Sequence, residues 1–265
     1  MMKKRKNILN TNFILFLLGR MVSDIGNSVQ MIIMPLYIID IGGSAATIGL
    51  FSFLSLLPAL SIYPFAGVIG DRMNRKMIMV VTDLISAGVI LALGIISYLG
   101  FMRIPILLIV QTVISLLNGL FEPATRGMLP QLVDKKELTR SNSTLASMRS
   151  LSIMVGPVIG TVLYAKFGIT IVFIINGISF LLSGVSEMMI QYVHVKRKRT
   201  VEAKGMINDL LEGIQFIMKN RIIRNMCYFF LVIYFVVQPI FSVILPLFFK
   251  TNLQYSDTQY GYSQT

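Results

Sequence analysis

The sequence predicts an all-α integral membrane protein, because long apolar segments alternate with short basic ones along its 265 residues. Hydrophobic residues make up 55% of the chain and charged residues only 14%, whereas soluble domains carry roughly 25% charged residues. The apolar runs are continuous over the roughly 20 residues that a membrane-spanning helix needs, while the strands of a membrane barrel would be shorter and alternating. The composition therefore excludes an ordinary soluble enzyme.

Seven apolar segments are long enough to cross a hydrocarbon core of roughly 30 Å as helices. We place these spans at residues 12–39, 45–69, 77–99, 104–127, 143–165, 169–191 and 225–249. The basic residues at 3–6 resemble the start of a signal peptide, but the apolar segment that follows is longer than the roughly 7–15 residues of such a leader and has no small-residue cleavage site. We therefore expect the first segment to be a transmembrane helix.

The spans divide the chain into three predicted regions. Residues 1–192 form a six-helix transmembrane bundle. Residues 193–224 form a basic, amphipathic linker that lies along the cytoplasmic face. Residues 225–265 contain the seventh helix and the start of an incomplete second bundle.

Positive charges predict the orientation of these spans. Of the 24 Lys and Arg residues, 18 lie in the N-terminal tail and in the segments after spans 2, 4 and 6, and Arg126 at the end of span 4 is the nineteenth on this side. Cytoplasmic loops carry the excess of Lys and Arg in membrane proteins, so we expect a multi-pass protein of the cell membrane with a cytoplasmic N-terminus. The formal charge of +12 then indicates contact with the lipid bilayer rather than nucleic acid, because the basic residues lie between apolar spans. With one Cys and one His, the chain has no disulfide framework or zinc motif, and we expect no cofactor.

Two spans carry a stripe of polar residues along one face, within about a third of the helix circumference at about 100° per residue. These candidate pathway residues are Arg20, Asp24, Asn27 and Gln30 in the first span and Gln111, Ser115, Asn118 and Glu122 in the fourth. Polar groups are costly in hydrocarbon, so we expect the two stripes to line one central pathway for substrate and protons. Buried hydrogen bonds between helices are the alternative explanation.

The ionisable residues inside the spans have two interpretations each. Asp24 lies near mid-membrane, where a carboxyl group could exchange a proton, but a salt bridge with Arg20 four residues earlier would neutralise both side chains. For Asp83 and Glu187, nearer the cytoplasmic ends of their spans, we expect structural pairing with nearby Arg or Lys side chains. Arg149 in the fifth span is expected to face protein rather than lipid.

The turn between spans 2 and 3 has the sequence GVIGDRMNRK, which resembles the cytoplasmic loop motif of the major facilitator superfamily. The matching residues are Gly67, Asp71, Arg72, Arg75 and Lys76. The resemblance implies a cytoplasmic gate, in which Asp71 interacts across the two halves of a transporter when its inner side is closed. Asn74 stands where the family usually has Gly, and Asn also adopts a left-handed turn readily.

Two further stretches support the same resemblance. The segment GPVIGT, with Gly156, Pro157 and Gly160, resembles the helix 5 element of drug/proton antiporters, and its small residues would let another helix approach closely. The stretches FEPATRGMLPQLVDKKEL and DLLEGIQFIMKNRIIRNM resemble the macrolide-efflux and siderophore-exporter branch. Members of the superfamily have twelve spans in two halves, so the resemblance implies one half, the linker and helix 7 in this chain.

The resemblance implies a secondary active transporter rather than an enzyme, which exports a drug-like or amphipathic small molecule by alternating access and is driven by protons. Two alternatives remain open: a non-transporting remnant of such a transporter, and a seven-helix receptor. A receptor would have an outside N-terminus or a mid-membrane Lys in helix 7, and neither fits the charge pattern. If the chain ends at Thr265, we expect it not to transport alone and to need the missing C-terminal half or to self-associate.

Overall fold

The computed structural model describes the backbone of residues 2–191, 211, 213, 215–256 and 259, together with most of the side chains from residue 11 onward. This part of the chain is helical and contains no strand, as predicted. The helices are α1 (Met2–Asp40), α2 (Ala45–Arg72), α3 (Arg75–Tyr98), α4 (Ile104–Leu132), α5 (138–167), α6 (169–189) and α7 (Arg221–Pro239). A single 3₁₀ turn, Lys135–Glu137, precedes α5. The predicted linker lies mostly outside the described residues, although residues 215–219 are helical.

Six helical stretches of the described chain are long and apolar enough to cross a membrane. One of them, Lys135–Met189, contains both α5 and α6, because its helical geometry breaks at Gly168. Gly168 has φ 74° and ψ 176°, a conformation that a residue with a Cβ rarely adopts. The break separates the two predicted spans, so the described chain holds seven membrane-length helices.

Polar caps fix the starts of three helices. The Ser44 hydroxyl accepts a hydrogen bond from the Thr47 amide at 3.3 Å and begins α2. Asn74 caps α3 by accepting from the Lys76 amide at 3.0 Å, and Asn220 caps α7 in the same way. Asn74 has φ −71°, so it is not in a left-handed turn. The expected reason for Asn at this position is therefore wrong, and its side chain satisfies orphan amides at the helix start instead.

Close contacts between small residues determine which helices pack against each other. α1 lies against both α5 and α6, where Gly156 meets Ser28 and Gly26 meets Asn176. α3 packs against α6 at Gly177, which contacts Leu91. Helices α2 and α4 form the other close pair, and α4 also packs on α3. In lipid, helices gain nothing from the hydrophobic effect when they bury apolar surface, so their association depends on close packing at small residues such as these.

Two apolar clusters fill the bundle and leave a polar layer between them. The first cluster includes Val29, Ala87 and Phe180, and the second includes Phe16 and Met79. On α1, α3 and α6, five buried polar residues lie between the two clusters in sequence: Arg20, Ser23, Asp83, Ser183 and Glu187. The candidate site is therefore a layer across the bundle rather than a surface feature.

Helix α7 has a different environment from the other six. None of the residues Arg221–Pro239 is buried. Beyond Pro239 the helical backbone continues through two π-helical turns to Asn252, and in this part Val243 and Leu247 pack against the first apolar cluster. The fold is thus a six-helix bundle followed by a seventh helix, as the sequence predicts.

Candidate functional site

Arg20 joins the polar stripes of α1 and α4. Its Nε lies 3.2 Å from Oδ2 of Asp24, one turn further along α1. Its guanidinium group also donates a hydrogen bond to the Glu122 carboxylate of α4 and lies 3.4 Å from the Thr125 hydroxyl. The aromatic ring of Phe121 lies under the guanidinium, 5.0 Å from its centre. Arg20 is only 9% exposed, so its charge depends on these two carboxylates for compensation.

Two more arginines surround Glu122. Arg149 of α5 places Nη1 3.6 Å from Oε1 of Glu122, and Arg126 places Nε 3.9 Å from Oε2. The Arg149 side chain is 54% exposed and that of Arg126 80% exposed, while that of Glu122 is 19% exposed. With all groups ionised, three arginines face two carboxylates, so the cluster has one excess positive charge. If either carboxylate lost its negative charge, the guanidinium of Arg20 would interact more strongly with the other one.

The other stripe residues divide into two groups. Asn27, Gln111 and Asn118 are half-buried on the faces that the sequence assigned to the pathway. Gln30 and Ser115 are buried in helix interfaces instead: Gln30 accepts a hydrogen bond from Asn176 of α6, and the Ser115 hydroxyl donates to the Ser55 carbonyl of α2 at 2.8 Å. These two residues therefore hold helices together in this structure.

The motif between α2 and α3 is described in part. The surroundings of Gly67 and the side chains of Asp71 and Arg72 lie outside the described part of the structure. Arg75 donates hydrogen bonds to the carbonyls of Gly70 and Gly127, which links the ends of α2 and α4. Lys76 donates to the carbonyls of Met188 and Ile190 at 2.7 and 2.8 Å, at the C-terminus of α6. Positive charge at helix C-termini is favourable, so this segment braces three helices on one side of the bundle.

The small residues of α5 form its contact with α1. Gly156 lies against Ser28, and Gly160 lies against Val29 and Ile33. Pro157 is buried in the same region. The segment that resembles an antiporter motif therefore has a close-packing role in this structure.

A cluster of Asp83, Ser183 and Glu187 was not anticipated from the sequence. Asp83 lies on α3 and the other two residues on α6, and all three are at most 3% exposed. The expected Arg or Lys partners of the two carboxyls are not among the ion pairs of the described residues. The one available signal was the spacing of Ser183 and Glu187, which places both side chains on one face of α6. No group of three or more His, Cys, Asp or Glu in the described chain could hold a metal ion.

A polar layer of charged groups within a bundle of membrane-length helices is found in membrane transport proteins. The family profile of the Major Facilitator Superfamily matches residues 16–265, and the chain belongs to this family. This result confirms the resemblance drawn from the loop motif.

Individual relatives agree with the family assignment. The uncharacterized MFS-type transporter YkuC of Bacillus subtilis is 24% identical over 88% of this chain and 57% of its own length. Macrolide efflux protein A of Streptococcus pyogenes is 25% identical over 77% of this chain and 50% of its own. The multidrug efflux pump Tap of Mycobacterium tuberculosis is 24% identical over 91% and 59%. The chain thus spans between half and three fifths of the length of these curated relatives.

A solved structure supports the fold. The chain matches a structure from work on proton-dependent oligopeptide transporters with a TM-score of 0.57 at 12% sequence identity. The match covers 96% of this chain and 51% of the other.

Proposed function

We propose that this chain provides the first half and helix 7 of a secondary active exporter, which moves a drug-like or amphipathic small molecule across the cell membrane in exchange for protons. The observation that carries the proposal is the contact of Arg20 with Glu122, because it joins the polar stripes of α1 and α4 into one site. Relatives named for macrolide and multidrug efflux support export as the direction.

The mechanism is alternating access around the Arg20 cluster, which consists of Arg20, Asp24, Glu122, Arg126 and Arg149. Arg20 is shared between Asp24 and Glu122, so adding a proton to one carboxylate leaves the guanidinium with the other. Such a change alters the attraction between α1 and α4. Local changes of charge of this kind shift the balance between two conformations of a protein. The half-buried Asn27, Gln111 and Asn118 provide polar contacts to substrate along the same pathway.

The segment between α2 and α3 is the proposed cytoplasmic gate. Arg75 and Lys76 hold the ends of α2, α4 and α6 together, which gives the bundle a rigid cytoplasmic edge. Gly67, Asp71 and Arg72 complete the motif, and Asp71 would interact with the second half of the transporter. In the proposal, the N-terminus is cytoplasmic and the regions are a bundle (1–192), a linker (193–224) and the start of a second bundle (225–265).

The test is proton-driven uptake of a macrolide or a dye into everted membrane vesicles that contain the protein together with the remaining helices of the second half, because export from a cell corresponds to uptake in everted vesicles. Asp24→Asn keeps the shape of the side chain and removes its charge, so we expect loss of uptake into the vesicles at unchanged protein levels. Asp134→Asn is the control, because Asp134 is exposed in the turn before α5. Transport by Asp24→Asn at the normal rate would exclude Asp24 as the coupling residue. Absence of energy-dependent transport by the unaltered protein when the remaining helices are supplied would favour the non-transporting alternative.

A further inference from the structure

The Asp83 cluster lies next to the Arg20 cluster but is separate from it. Asp83 is 3% exposed, Ser183 0% and Glu187 1%. Ser183 packs against α1 at Gly19, immediately before Arg20, and its side chain lies beside the Asp83 carboxyl. The cluster therefore fills the interface of α1, α3 and α6.

Three polar atoms of this cluster make no hydrogen bond of ordinary geometry, although the Ser183 hydroxyl lies close enough to the Asp83 carboxyl to interact with it. These atoms are Oδ2 of Asp83, Oγ of Ser183 and Oε2 of Glu187. Neither carboxyl takes part in the ion pairs of the described side chains. A buried carboxylate without a partner is costly. Asp83 and Glu187 also repel each other across the contact of α3 with α6, where Asp83 lies against Gly184. A single added proton removes one of the two negative charges and supplies a donor to atoms that lack one.

The other charged groups near the cluster have partners of their own. Arg20 and Asp24 of α1 act on Asp83 electrostatically, but Arg20 directs its hydrogen bonds to Asp24 and Glu122. Lys76 of α3 directs its ammonium group to the carbonyls of Met188 and Ile190. Neither cation is therefore placed to neutralise the pair directly.

We propose that Asp83 and Glu187, with Ser183 beside them, form a proton-binding site that holds one shared proton between α3 and α6. One O–H bond forms on a carboxylate oxygen when a proton arrives from water, and it breaks when the proton leaves. Asp83 interacts electrostatically with Arg20 and Asp24. The charge of the Asp83–Glu187 pair therefore influences whether Arg20 bonds more strongly to Asp24 or to Glu122. The proposed role in coupling rests on the proposed function, whereas the presence of the proton does not.

Infrared spectroscopy of the full chain in lipid vesicles tests this site directly. A protonated carboxyl has a carbonyl stretch that a carboxylate lacks, and exposed carboxyls, which titrate near pH 4, are ionised from about pH 6 upward. We expect a protonated-carboxyl band at neutral pH that disappears in the double variant Asp83→Asn/Glu187→Gln. Asp134→Asn, in which an exposed carboxyl is removed, should leave the band unchanged.

Ser183→Ala gives a second test that needs little structural adjustment, because it removes only one hydroxyl group. We expect the band to persist with a shifted frequency, since the hydrogen bonding of the protonated carboxyl changes. The proposal is overturned if the unaltered protein has no such band at neutral pH, if the double variant keeps it, or if Ser183→Ala leaves its frequency unchanged. Circular dichroism checks that each variant is helical. If the double variant does not fold, the result for Ser183→Ala tests the proposal instead. A protein that shows the band but no transport even when the remaining helices of the second half are supplied would contradict the proposed function and leave this site standing.

Discussion

Gly156 of α5 lies so close to Ser28 of α1 that a Cβ atom built on the glycine would be 2.4 Å from the Ser28 Cβ. It would also lie 3.1 Å from the Ser28 backbone carbon, so a shift of the serine side chain alone would not make enough room. The contact is one of several small-residue contacts that bring α1 against α5 and α6. Its tightness makes it a sensitive test of the fold.

Gly156→Ala should destabilise the bundle by about 1–3 kcal/mol, the usual cost of overpacking. The free energy of unfolding can be measured by denaturant titration of the purified protein in detergent. Gly88→Ala is the matched control, because Gly88 lies in α3 with no atom within 4 Å of its built Cβ. We expect Gly88→Ala to be neutral or slightly stabilising, since Ala favours a helix more than Gly. Equal stabilities of the two variants would mean that α1 and α5 do not pack as described.

Arg20→Met should cost about 3–5 kcal/mol of unfolding free energy, because it leaves two carboxylates without their buried cation. Arg126→Met should change stability by about 1 kcal/mol or less, since Arg126 is exposed and 3.9 Å from Glu122. The double variant Arg20→Met/Asp24→Asn should recover part of the loss. Asp24 forms its ion pair with Arg20, whereas Glu122 keeps Arg149 and Arg126 nearby. A double variant less stable than Arg20→Met would contradict the ion pair.

The sequence predicts the fold well because hydrophobic periodicity and charge distribution are local properties. Spans 5 and 6 are separated correctly, since a single glycine marks the break between them at Gly168. The polar stripe also identifies Arg20 and Glu122, which the structure brings together. A helical wheel gives the face of a residue but not the helix that this face meets.

Gln30 and Asp83 show where that limitation matters. Gln30 falls on the same face as Arg20 by angle, yet it bonds to Asn176 of α6, because α1 is in contact with several helices at different depths. Asp83 was expected to find a cation, but its nearest charged neighbour on α6 is Glu187. Pairing between distant helices depends on their register, and one sequence does not contain that information.

The orientation of the helices can be tested by labelling introduced cysteines. In a Cys227→Ser background, Lys135→Cys should react with a membrane-impermeant maleimide only from the cytoplasmic side, because it lies in the basic turn between α4 and α5. Lys166→Cys, near the break between α5 and α6, should react only from the outside. Both sites are exposed, so reactivity depends on their side of the membrane. The opposite labelling pattern would show that the N-terminus is outside.

The last prediction concerns residues 1–265 expressed alone in cells that lack drug exporters. The exposed faces of α7 and the half-buried Asn27, Gln111 and Asn118 would then meet lipid or another copy of the chain. Unsatisfied polar groups in hydrocarbon cost several kcal/mol each, so we expect low abundance or self-association, and no energy-dependent extrusion of a dye or macrolide.

Cross-linking reports the self-association directly, because Cys227 is the one cysteine of the chain and is exposed on α7. Mild oxidation in the membrane should give a disulfide-linked dimer with residues 1–265, and Cys227→Ser should give none. Supplying the remaining helices of the second half in the same cells should reduce the dimer, since these helices would cover α7 and the pathway residues. Energy-dependent extrusion by residues 1–265 alone, abolished by Asp24→Asn, would instead show that this half is sufficient for transport.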